Sequence, residues 1–106
     1  MAAARNLMND VAEYSALIVG LQAAIDHGLV GQGLEVNGDS QLVIRQMTGQ
    51  YAVSADRLIP LHRRARDLAQ RVGVDRWQWI PRDQNHEADH LSRIAYAEAQ
   101  RPAVMV

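Results

Sequence analysis

The sequence has no cysteine, no lysine and no apolar run long enough to cross a bilayer. Without cysteine there is no structural disulfide. The longest mostly apolar stretch, Tyr14 to Ile25, carries Ser15 and Gln22 and is too short for a membrane span. The opening Met1-Ala2-Ala3-Ala4-Arg5 has no apolar core before Asn6, so no secretion signal is read and a cytoplasmic protein is expected. What is present is enough for a core. Of 106 residues, 48% are hydrophobic and 22% charged, which excludes disorder and fits one domain rather than two.

The net charge of −1 does not decide for or against a nucleic-acid partner; the distribution says more. All 11 basic residues are arginine. Seven of them (Arg57, Arg63, Arg64, Arg66, Arg71, Arg76 and Arg82) fall in one quarter of the chain. Arginine is the better fork for phosphate oxygens. The same run also reads as a solvated helix face.

Val11, Tyr14, Leu17, Ile18, Leu21 and Ile25 recur at helical spacing, with Asn9 as a candidate N-cap and Gly28 as a stop. Leu34 to Gly38 alternates as a short strand. Asp39 or Ser40 opens a short helix through Met47 that closes at Gly49. Ser54 is a candidate cap for a helix to about Val72, in which Pro60 either kinks the chain or marks the true first turn. Arg76 to Ile80 reads as a second strand. A last helix is expected from about Asn85 to Gln100, burying Ala88, Leu91 and Ala95, with Ile94 as a further candidate. Trp77 and Trp79 alternate onto one strand face and read as core. Strands separated by helices favour parallel pairing. A sheet of only two parallel strands leaves unpaired edges, so the architecture looks incomplete at its N-terminal side.

Three acids sit at the ends of expected elements: Glu13 in the first helix, Asp39 directly after a strand, and Asp89 early in the last helix. Carboxyl ends of parallel strands are where α/β sheets present their sites. Carboxylates converging there suit Mg²⁺, and two such ions roughly 3.5–4 Å apart can drive phosphodiester hydrolysis. Taken singly, each acid has a plainer use. Glu13 and Asp89 suit a helix dipole, and Asp39 a helix cap.

His86-Glu87-Ala88-Asp89-His90 also matches the H-E-x-x-H zinc helix. A catalytic zinc needs a third protein ligand. The only later acid, Glu98, lies about two turns on along the same expected helix and cannot fold back onto the ion.

Three ordered blocks carry a resemblance. Asn9 to Ile18 with Gly20-Leu21, then Leu34 to Val43 with Gln46 to Tyr51, then Pro81 to Ser92, resemble bacterial and archaeal type 1 ribonucleases H and their reverse-transcriptase-like relatives. The match runs from Asn9 to about Ala97. It implies an α/β ribonuclease H-like fold and cleavage of the RNA strand of an RNA–DNA hybrid, with two Mg²⁺ or Mn²⁺ ions. By motif, Glu13, Asp39 and Asp89 carry over as three of the family's four carboxylate ligands. Arg82 falls in the loop where members carry a histidine or an arginine near the scissile phosphate. Asn9, Ser40 and Asn85 match positions that meet substrate. Asp10 departs from the usual asparagine, and an acid there would repel a phosphate backbone.

The family opens with three antiparallel strands, the first of which bears the fourth acid. The expectation is therefore that residues 1–106 form a single, N-terminally truncated domain lacking those strands. Two consequences are expected: weakened two-ion catalysis, and an open Leu34–Gly38 edge beside uncovered apolar surface on the first helix. That edge suggests a second reading, an inactive module that pairs there with a second copy or a complementing chain.

Overall fold

The computed structural model describes residues 7–81, the backbone of 93–96, and residues 102–106. The first element, α1 (Leu7–Asp26), forms where the helical stripe was expected and starts two residues before Asn9. Of its apolar stripe, Tyr14, Leu17 and Leu21 have no exposed surface, as has Ala24, while Val11, Ile18 and Ile25 pack half-buried against the same core. It stops at Gly28, whose φ of 74° needs a residue without a Cβ. The Leu29 N–H then reaches the Ala24 carbonyl and the Gly28 N–H that of Ile25, which satisfies carbonyls the helix end would orphan.

Next come β1 (Leu34–Gly38) and α2 (Gln41–Met47). Ser40, one of the two expected caps, does the capping: its Oγ accepts from the Val43 N–H at 3.3 Å. The third helix, α3 (Ile59–Val72), is capped at Leu58 without a side-chain hydrogen bond rather than at Ser54, and Pro60 lies in its first turn and does not kink it. Gly73 closes α3 at φ 78°, and β2 (Val74–Trp79) starts on the next residue. This strand begins two residues earlier than expected because the cap turns the chain directly onto the sheet.

Two further strands correct the sequence reading. Arg93–Tyr96 is a strand, β3, not part of a helix from Asn85 to Gln100; of that expected helix, only 93–96 lie among the described residues. Pro102–Met105 forms β4. The sheet runs β2-β1-β4-β3, with β1 parallel to both β2 and β4, and β3 antiparallel to β4.

Leu34–Gly38 therefore has no open edge. Val36 pairs with Trp77 on one side and with Val104 on the other. The surface expected to receive a second copy or a complementing chain is filled by the same chain. The physical reason is that β1 is buried along most of its length, and a buried strand cannot leave a row of N–H and C=O groups unpaired. The short apolar run Ala103-Val104 supplies those partners and is itself buried. The expected bare surface on the first helix is likewise covered, by α3 together with β4 and β3. One core joins Leu17 and Leu21 of α1 to Val36 and Val104 of the sheet and to Leu68 and Val72 of α3. No described helix is long and apolar enough to cross a membrane.

Candidate active site

The carboxyl end of β1 is where the chain concentrates its chemistry. Gly38, Asp39 and Ser40 carry the strand into α2, and both neighbouring strands run alongside as far as Asn37 or Gly38. The Ile80 N–H donates to the Gly38 carbonyl at 2.9 Å, and the Val106 N–H donates to the Asn37 carbonyl at 2.8 Å. The approach is close: a Cβ on Gly38 would stand 3.0 Å from Val106 Cγ2. Glu13, from the second turn of α1, lines a small cleft with Gly38 and Ser40, closed on its apolar side by Val43, Ile44 and Val106. The structure thus brings Glu13 to the strand end that carries Asp39, two positions far apart in sequence. Both acids are half-buried.

Two hard carboxylate oxygen donors at one strand end fit a Mg²⁺ or Mn²⁺ ion in chemical type. Among the described residues, no group of three histidine, cysteine or acidic side chains converges. Asp89, the third expected ligand, lies outside the described residues, as do Arg82, Asn85 and the His86–His90 motif. Asn9 is exposed on α1, open to a large ligand. Ser40 is buried, and its oxygen already accepts the capping hydrogen bond.

Asp10 corrects an expectation. It is only 4% exposed, so it does not project at a phosphate backbone. It stands one turn before Tyr14 on the inner side of α1, and its charge acts on that phenol instead. Burial, and behind it the charge of Asp10, pushes the Tyr14 hydroxyl well above its ordinary pKa. Tyr14 therefore stays a neutral donor, giving its proton to Gln46 Oε1 at 2.7 Å. Gln46 Nε2 in turn donates to the Ala52 carbonyl at 3.3 Å. This buried chain ties α1 to α2 behind the site.

Trp79 is the residue that sequence reasoning misplaced. It is 42% exposed, while Trp77 packs against the core. Its register partner is Gly38, which has no side chain to cover the ring. The indole N–H donates to the Asp39 carbonyl at 3.2 Å, which ties the end of β2 to the candidate site. A tryptophan at the last position of a strand beside a glycine was the available signal.

A family model described as reverse transcriptase-like matches residues 1–95. The ribonuclease HI of Halobacterium salinarum is 41% identical over 93 residues, spanning 86% of this chain and 45% of that protein. A bifunctional protein of Mycobacterium tuberculosis is 36% identical over 95 residues, spanning 90% of this chain and 26% of that protein. The chain thus spans less than half the length of these curated relatives. Among solved structures, the N-terminal RNase H domain of the M. tuberculosis protein superposes with a TM-score of 0.66 at 38% identity, covering 78% of this chain and 58% of that one. The RNase H1 of H. salinarum gives a TM-score of 0.60 at 41% identity, covering 74% and 58%. With the family model spanning most of its residues and the fold shared with two solved RNase H domains, the chain belongs to the reverse-transcriptase-like family of ribonuclease H domains.

Proposed function

We propose that the chain is the core of a ribonuclease H-type endonuclease that hydrolyses the RNA strand of RNA–DNA hybrids. The observation that carries this reading is Glu13 lying against Gly38 and Ser40 at the carboxyl end of a parallel strand, in a chain whose relatives include a ribonuclease HI. Glu13, Asp39 and Asp89 are the proposed holders of divalent cations. A divalent cation held there would lower the pKa of an attacking water and offset negative charge at the phosphate.

The remaining roles belong to the chain's own side chains. Arg82 is proposed to contact the non-bridging oxygens of the scissile phosphate, as a planar fork suits. Asn9 and Asn85 are proposed to hydrogen-bond the substrate backbone, and the Ser40 hydroxyl has its proton free to donate to it. Recognition would follow duplex shape and the 2′-hydroxyls rather than base sequence.

The test is a cleavage assay on a labelled hybrid with Mg²⁺ or Mn²⁺. Product is expected from the native chain and not from Asp39→Asn. Absence of product from the native chain with both metals, or undiminished product from Asp39→Asn, would overturn the assignment.

A further inference from the structure

At the far end of α2 from Asp39 lies a second cavity, of about 350 Å³, that the carboxylate site does not use. Its walls include Gln46, Tyr51, Ile59, His62, Arg63 and Arg66. Among the described residues, no carboxylate lines it. Arg63 and Arg66 are exposed, and among the described residues neither forms an ion pair. They are three apart on α3, so both guanidinia project from one face. Arg64, between them in sequence, does not line the cavity.

The polar groups behind the arginines are held in place. Gln46 spends its carboxamide on Tyr14 and on the Ala52 carbonyl. His62 Nε2 lies 3.3 Å from the Gln46 carbonyl, and its ring packs edge-on against Tyr14, with centroids 6.1 Å apart. Arg45 Nη1 donates to the Tyr51 hydroxyl at 3.2 Å, and the Arg45 guanidinium lies 5.3 Å from the Tyr51 ring centroid. The rim of the cavity is thus rich in donors and positive charge, with its carboxamide acceptor already engaged. That is a receptor for an anion, and guanidinium forks match phosphate oxygens in geometry.

We propose that this cavity binds a phosphate group, with Arg63 and Arg66 as its paired fork, and that the phosphate belongs to the backbone of a nucleic-acid strand. The assignment to a strand rests on the nuclease reading above. It also rests on placement. The seven residues of α2 rise about 10 Å from the Ser40 cap to the cavity end, so a strand crossing the carboxylate site could reach both. The exposed guanidinia suit a ligand that continues past the pocket, rather than a small one enclosed by it.

The test measures binding of a fluorescent RNA–DNA hybrid by anisotropy across a salt series, with Ca²⁺ replacing the active metal. The double variant Arg63→Ala/Arg66→Ala should weaken binding at least tenfold and lower the slope of log K against log salt by about one, for the single phosphate left without its fork. Arg63→Lys/Arg66→Lys should keep most of the slope while losing affinity, because charge survives and the fork does not. Arg64→Ala should change neither. An unchanged slope in the double alanine variant, with its unfolding midpoint intact, overturns the proposal. Inorganic phosphate and a nucleoside monophosphate form the second arm. If either saturates the cavity, read by chemical-shift changes at Gly49 and Tyr51, while hybrid binding ignores the arginines, the strand assignment is wrong. Cleavage is scored separately. Loss of cleavage in Asp39→Asn with no arginine dependence would fell only the cavity, and arginine-dependent binding without cleavage by the native chain would fell only the nuclease.

Discussion

Trp79 stands opposite Gly38 in the parallel ladder, and its indole N–H donates to the carbonyl of Asp39, one residue further on, at 3.2 Å. The bond crosses from the last residue of β2 to the residue that carries the candidate metal ligand. Backbone placement there fixes where the carboxylate can point.

Replacing Trp79 by Phe keeps an aromatic ring, and removes the N–H donor together with part of the ring's contact area. The expected cost is about 1 kcal/mol of stability, the ordinary net worth of one hydrogen bond. Hybrid cleavage should fall severalfold as the Asp39 backbone loosens. Urea unfolding and initial rates measure the two effects separately.

Gly38→Ala adds a methyl 3.0 Å from Val106 Cγ2. The neighbour must move, and overpacking of this kind costs about 1–3 kcal/mol. The strain should appear first at the end of β4, as faster amide exchange at Val106, whose N–H is held by the Asn37 carbonyl.

Tyr14→Phe leaves Gln46 Oε1 buried without its donor, at a cost of about 1–3 kcal/mol. The pH dependence has a definite sign. The phenol pKa is raised on folding, so its contribution is fully present below the unfolded value of about 10 and is lost as pH rises toward the higher folded value. Denaturation melts should show native stability declining above about pH 10, with the part of that slope due to Tyr14 absent from Tyr14→Phe.

Val104→Ala tests whether β4 belongs to the core. Val104 is fully buried between Val36 of β1 and Ile94 of β3 in the register. Losing two methyls and leaving a cavity should cost about 2 kcal/mol. A chemical melt indistinguishable from the native one would show that Pro102–Met105 does not pack against β1.

The local features were legible because local chemistry specifies them. The stripe from Tyr14 to Ala24 can be buried by only one helix face, the Ser40 hydroxyl caps the helix that follows it, and Gly28 and Gly73 end helices because they accept a positive φ. Glu13 and Asp39 could be singled out because each sits at the end of such an element. The strands β3 and β4 were not legible. Leu91 and Ala95 have helical spacing, yet Ala95 belongs to a strand paired with Ala103. Nothing within Pro102–Met105 distinguishes a strand from any short apolar run. Its partner is a β1 strand more than sixty residues earlier, and pairing of that range is settled by the demand of buried backbone groups for partners.

The sequence by itself determined the three described helices, the Ser40 cap and the glycine stops at Gly28 and Gly73, since propensity, periodicity and capping act over a few neighbouring residues. Only the tertiary structure decided which strand lies beside Leu34–Gly38, that Asp10 faces inward, that Trp79 is left half bare, and that Arg63 and Arg66 share a cavity that Arg64 does not line. Each of those outcomes depends on what another part of the chain places opposite. Burial and charge pairing act through space, and spacing along the chain does not encode them.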